Sequence, residues 1–127
     1  MPGTRVQTSS ICDSIQGYNS AAVTAGLILW KYIAVSFGRV KGVKAFGGTA
    51  GAGAGNTVLD ITRNGTSIWS VAANKPTLAA ASTGEFTNSD PDVGNFGPGD
   101  RLVMTVSSIP ATTGHADVYM TAAVVIE

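Results

Sequence analysis

The sequence predicts an all-β chain, on three observations. Short apolar runs rich in β-branched and aromatic residues recur along its length, separated by clusters of Gly, Pro, Asn and Asp. One pair of such runs is joined by Asn64-Gly65, the signature of a two-residue type I′ hairpin. Nowhere do apolar residues recur at helical spacing over a useful length.

The elements follow in chain order. Residues 1–20 are polar and small, which reads as an N-terminal arm or lead-in, with a first edge strand around Ile11 to Tyr18 as the alternative. Residues 21–127 read as the β domain. Leu27 to Ser36 (LILWKYIAVS) is nearly continuous in apolar character and reads as a strand covered on both faces. Arg39 to Phe46 reads as a second strand, with Gly42 marking a bulge or a close backbone approach. Gly47 to Gly55 has no side chains able to pack and reads as a mobile or extended loop.

Thr57 to Ser70 is the best-defined segment. The Asn64-Gly65 turn sets Arg63 opposite Thr66, Ile61 opposite Ile68 and Asp60 opposite Trp69. Leu59, Ile61 and Ile68 then face the core, while Asp60, Thr62, Ser67 and Trp69 share the other face. An indole there is either covered by a loop or turned toward a partner, so Ile68 and Trp69 are interface candidates.

Lys75 to Ala81 reads as a connection or edge strand interrupted by Pro76, and Thr83 to Thr87 as another short strand. Asn88 to Pro98 is a loop dense in turn residues. Arg101 to Ser108 alternates with Leu102, Met104 and Val106 in phase, and Asp117 to Ile126 with Val118, Met120, Ala122, Val124 and Ile126. About seven or eight strands with turns between them suit a jelly-roll-like β-sandwich.

Composition narrows the function classes. The chain has 127 residues and is 44% hydrophobic, enough for one domain with its own core. Eight basic and eight acidic residues cancel, which removes the electrostatic basis for binding nucleic acid or an anionic membrane. Only 13% of residues are charged, a surface poor at keeping molecules apart and suited to an assembly. No apolar h-region opens the chain, and the longest apolar stretch is too short to span a bilayer.

No catalytic constellation is legible, so no enzyme is expected. His115 is the sole histidine and reads as a solvated loop residue. Cys12 is the sole cysteine, with no base or cation beside it in sequence. Asn88, Asp90 and Asp92 alternate as calcium-loop ligands do, but Gly99 stands where the closing Glu would be. They are weak candidates for a metal site, and none is expected. The run Gly51-Ala-Gly-Ala-Gly55 leads into a strand and lacks Gly-Lys-Ser/Thr, so no nucleotide or other cofactor is expected. Asn64-Gly65-Thr66 fits a glycosylation sequon, but the turn alone explains it. Trp30, Trp69, Tyr32 and Tyr119 could form a sugar platform, against the simpler reading of core and interface packing.

Several segments together resemble a known group of proteins. They are Gly38-Arg39-Val40 through Ala45, the hairpin Thr57 to Ile68, Pro76-Thr77-Leu78-Ala79, and Phe96-Gly-Pro-Gly-Asp-Arg-Leu102. In this order they resemble small jelly-roll decoration (cement) proteins and fibre domains of tailed bacteriophages, over about residues 38 to 126. The resemblance implies a virion protein on the outer capsid surface. Its partners would be the major capsid protein and its own copies, as a homotrimer. A receptor- or glycan-binding fibre head is the alternative. A jelly-roll hydrolase would need metal histidines that a single histidine cannot supply.

Overall fold

The computed structural model describes residues 11–85 and 90–127. They form ten strands: β1 (Ile11–Asn19), β2 (Ile28–Ile33), β3 (Gly38–Thr49), β4 (Asn56–Arg63) and β5 (Thr66–Ser67), then β6 (Thr77–Ala79), β7 (Gly84–Glu85), β8 (Asn95–Phe96), β9 (Arg101–Ser108) and β10 (Ala116–Ile126). The sole helical element among the described residues is a 3-10 turn, Ala72–Asn74.

Two antiparallel sheets result. One has the order β1-β10-β3, with β7 and β8 both on the far side of β3. The other has the order β2-β9-β4, with β5 and β6 both on the far side of β4. β7 pairs with Phe46 and Gly47, and β8 with Gly38 and Arg39 at the other end of the same strand. β5 and β6 divide β4 in the same way. Ten strands therefore fill eight positions. The chain changes sheet between β1 and β2, β2 and β3, β3 and β4, β6 and β7, β8 and β9, and β9 and β10. This winding is the jelly roll expected from the strand count.

Alternation sets the core as the sequence predicted. Leu102, Met104 and Val106 of β9 and Val118, Met120, Ala122 and Val124 of β10 turn inward to meet Leu59 and Ile61 of β4. Each large side chain buried this way contributes about 1.5–3 kcal/mol, a sizeable share of a domain's stability. The expected irregularity near Gly42 is present. Gly42 pairs with Ala123 and Val40 with Val124, leaving Lys41 as the extra residue of a bulge.

At the hairpin, Asn64 and Gly65 have φ of 52° and 90°, the left-handed pair that a type I′ turn needs. Arg63 pairs with Thr66 as expected, and the Ile68 N–H reaches the Ile61 carbonyl at 3.0 Å.

Two expectations change, and one alternative holds. Ile11–Asn19 is β1, an edge strand paired with β10 from Val118 to Ile126, as the alternative reading of this stretch expects. Its neighbours in sequence are polar because one face looks to solvent. The glycine stretch is not all loop: β3 runs to Thr49, and Ala52 exchanges backbone hydrogen bonds with Thr113 at 2.9 and 3.0 Å. The loop before β9 holds a short strand, β8, against β3.

Candidate functional site

His115 is fully buried, contrary to the solvated position expected of it. Its Nε2 lies 3.0 Å from the Ala79 carbonyl and 2.8 Å from that of Ser82. Carbonyls only accept, so Nε2 carries the proton and donates. Nδ1, 2.7 Å from Thr57 Oγ1, then accepts from the hydroxyl. The glycine run makes this burial possible. A Cβ at Gly47 would sit 2.9 Å from the imidazole Cδ2, and one at Gly51 2.8 Å from the Thr113 carbonyl. His115 thus ties β4, the β6–β7 connection and the glycine loop together, with both ring nitrogens occupied.

Ile68 and Trp69 are also interior. They are 1% and 3% exposed and belong to the core cluster, so neither is available to a partner. The reason is local: β5 ends at Ser67, so the strand alternation that put Trp69 on the outer face stops two residues before it. The Ser67 hydroxyl caps this turn. It donates to Asp60 Oδ1 at 2.7 Å and accepts from the Trp69 N–H at 3.1 Å. Asp60 is buried and meets Lys75 Nζ at 3.2 Å.

Of the weak metal candidates, Asp90 and Asp92 line one surface pocket together with Arg39 and Lys41. Asn88 lies outside the described residues. Asp90 is exposed. Asp92 spends both carboxylate oxygens on Ser70, one on its N–H at 2.9 Å and the other on its hydroxyl. These hydrogen bonds, the hydroxyl's first, hold the Asp92 pKa below its usual value. No group of three or more His, Cys, Asp or Glu among the described residues is placed to hold a metal ion. Cys12 lies in β1 opposite Val125. No helix among the described residues is long and apolar enough to cross a membrane.

The exposed surface carries two other features. The first is apolar. Ile33, Val35 and Phe37, at alternate positions leaving β2, are 64%, 83% and 64% exposed. Ile28 and Ile33 also line a trough of about 810 Å³ on the outer face of the β2-β9-β4 sheet, with Val103, Thr62, Lys31 and Arg101. β2 is the edge of that sheet and pairs only with β9 among the described residues. Asn64 closes one end: it accepts from the Arg101 N–H and donates to Asp100, both at 2.9 Å.

The second feature is aromatic. Tyr119, named from sequence as a platform residue, stands on the outer face of the other sheet between Tyr18 and Phe46. Trp30 and Tyr32 stack on each other at 5.4 Å and pack on the core, and Tyr32 meets Phe96 edge-on. Sequence reasoning passed over Tyr18 and Phe46. Their alignment with Tyr119 depends on β1, β10 and β3 being neighbours, which no local pattern reveals.

No protein-family model matches the chain, and no curated protein matches it.

Proposed function

We propose that this chain is a structural protein of a bacteriophage virion, a capsid decoration or cement protein that binds the outer head surface. The observation behind this reading is the exposure of three large apolar residues, Ile33 at the trough and Val35 and Phe37 just after it in the chain. Exposed large apolar residues grouped on one edge mark a protein interaction surface more than scattered ones do. Burying each against a partner yields up to about 1.5–3 kcal/mol, and because association itself costs about 4–15 kcal/mol the docking also draws on the polar contacts around the trough. Lys31 and Arg101 at the trough favour a partner surface with carboxylates. The low charge content and the resemblance over residues 38 to 126 support the same reading.

On this proposal the partners are the major capsid protein and further copies of the chain, arranged as a trimer on the shell. The test is occupancy on purified heads. Heads lacking the protein are mixed with the wild-type chain or with Val35→Asp/Phe37→Asp, and bound copies are counted after sedimentation. The proposal expects saturable wild-type binding and loss of binding by the folded variant. Failure of the wild-type chain to bind heads contradicts it.

A further inference from the structure

Across the outer face of the β1-β10-β3 sheet, three aromatic residues stand in one transverse row. Tyr18 pairs with Tyr119, and Tyr119 pairs with Phe46. The ring centroids are 4.4 Å and 6.3 Å apart, with tilts of 36° and 43°. Both pairs are tilted contacts, and Tyr18 and Phe46 remain 46% and 44% exposed. Cross-strand packing alone stabilises a sheet by about 0.2–1 kcal/mol per pair, and this explains the contact but not what flanks it.

The flanks are polar and in register. Two residues along each strand, on the same face, Gln16, Thr121 and Lys44 form a second row. On the other side lies Asp117, whose Oδ1 accepts from the Tyr18 hydroxyl at 2.7 Å. Asp117 has φ of 55°, a left-handed conformation unusual for a non-glycine residue. A Cβ at Gly48 would stand 2.2 Å from Asp117 Oδ2, so a glycine is what leaves room for the carboxylate. The row therefore lies between a carboxylate and an ammonium, on a rigid sheet.

We propose that this face binds a saccharide, with a pyranose ring laid on Tyr18, Tyr119 and Phe46. The C–H groups of a pyranose are weakly positive and complement the negative faces of aromatic rings. Its hydroxyls both donate and accept. Asp117 only accepts, Lys44 only donates, and Gln16 and Thr121 do both. Strand and residue spacings make the two rows about 10 Å by 7 Å, the footprint of one or two sugar rings. An apolar protein surface fits less well, because it would cover the polar side chains of Gln16, Thr121, Lys44 and Asp117 without hydrogen-bonding to them. The site does not rest on the virion reading. It lies on the opposite side of the sandwich from the trough and stays accessible when that side is docked.

The test is an amide NMR titration of the full chain with lactose, maltose, cellobiose and diacetylchitobiose. The expected result is saturable shifts in the millimolar range for at least one of them, confined to β1, β3 and β10 around the row. Phe46→Ala should weaken that binding about tenfold, equivalent to about 1.4 kcal/mol. Asp117→Asn should also weaken it, and it retains a residue tolerant of positive φ so that the fold is kept. Ile33→Asp, on the other face, should leave it unchanged. Absence of saturable shifts with all four sugars overturns the proposal. So do shifts mapping elsewhere, or unchanged affinity in both Phe46→Ala and Asp117→Asn.

Discussion

On the outer face of the β2-β9-β4 sheet, the residues pointing away from the core include Ile28, Ile33 and Val103. On the outer face of the β1-β10-β3 sheet they are Tyr18, Tyr119 and Phe46, with Gln16, Thr121 and Lys44 beside them. The inward residues of both sheets are mostly Leu, Val, Ile, Met and Ala, with Trp30, Tyr32, Phe96 and Thr57 among them. The outward sets are not needed for the core, so their difference points to different tasks. One side is aliphatic with a cationic rim and suits a protein surface. The other is aromatic with hydrogen-bonding flanks and suits a polar ligand.

The largest expected effect breaks the aliphatic side. Ile33→Asp with Val35→Asp should lower head binding more than about tenfold, because it places charges at the centre of the docking surface. Both side chains are exposed, so folding stability should move by no more than about 0.5 kcal/mol in denaturant titration. Gly48→Val breaks the aromatic side. Its Cβ collides with the Asp117 carboxylate, so it should cost about 1–3 kcal/mol by chemical denaturation and displace Asp117.

Asn64→Ala sharpens the comparison from the trough's end. It removes hydrogen bonds to the Arg101 N–H and Asp100, and should cost about 1–2 kcal/mol, read from the shift in thermal midpoint.

The smallest effects are in pH. The Tyr18 phenol is pushed up to about 12, chiefly by its hydrogen bond to Asp117. The folded state then holds this proton more tightly than the unfolded chain, whose value is 10.0. Its contribution is complete below pH 10 and is lost as pH rises toward about 12. Asp100 behaves oppositely. The Gly97 N–H, then Asn64, hold its pKa below 3.8, so its contribution is present above that value and lost as pH falls through the folded pKa. Tyr18→Phe should abolish the alkaline component and leave the acid one, followed by ultraviolet titration and circular dichroism.

The fold was largely legible because its determinants are local. Leu102, Met104 and Val106 announce their face by alternation, and Asn64-Gly65 announces its turn by backbone preference. What sequence did not reveal depends on distant neighbours. His115 looked solvated because the glycines beside it suggest a loop, yet those glycines are what let the loop close over the ring. Trp69 looked outward because alternation was carried past the end of β5. Tyr18 was hidden in a polar stretch, and only its pairing with β10 places it beside Tyr119. The outward residues carry no folding signal, so their grouping appears only once the sheet order is known.

The most direct measurement of the central claim is electron cryomicroscopy of the purified virion at side-chain resolution. The proposal predicts the chain on the head surface, with Ile33, Val35 and Phe37 buried against the shell or a neighbouring copy. It also predicts Tyr18, Tyr119 and Phe46 facing solvent. A chain absent from the particle, or seated with the aromatic face against the shell and the β2 edge exposed, would contradict it.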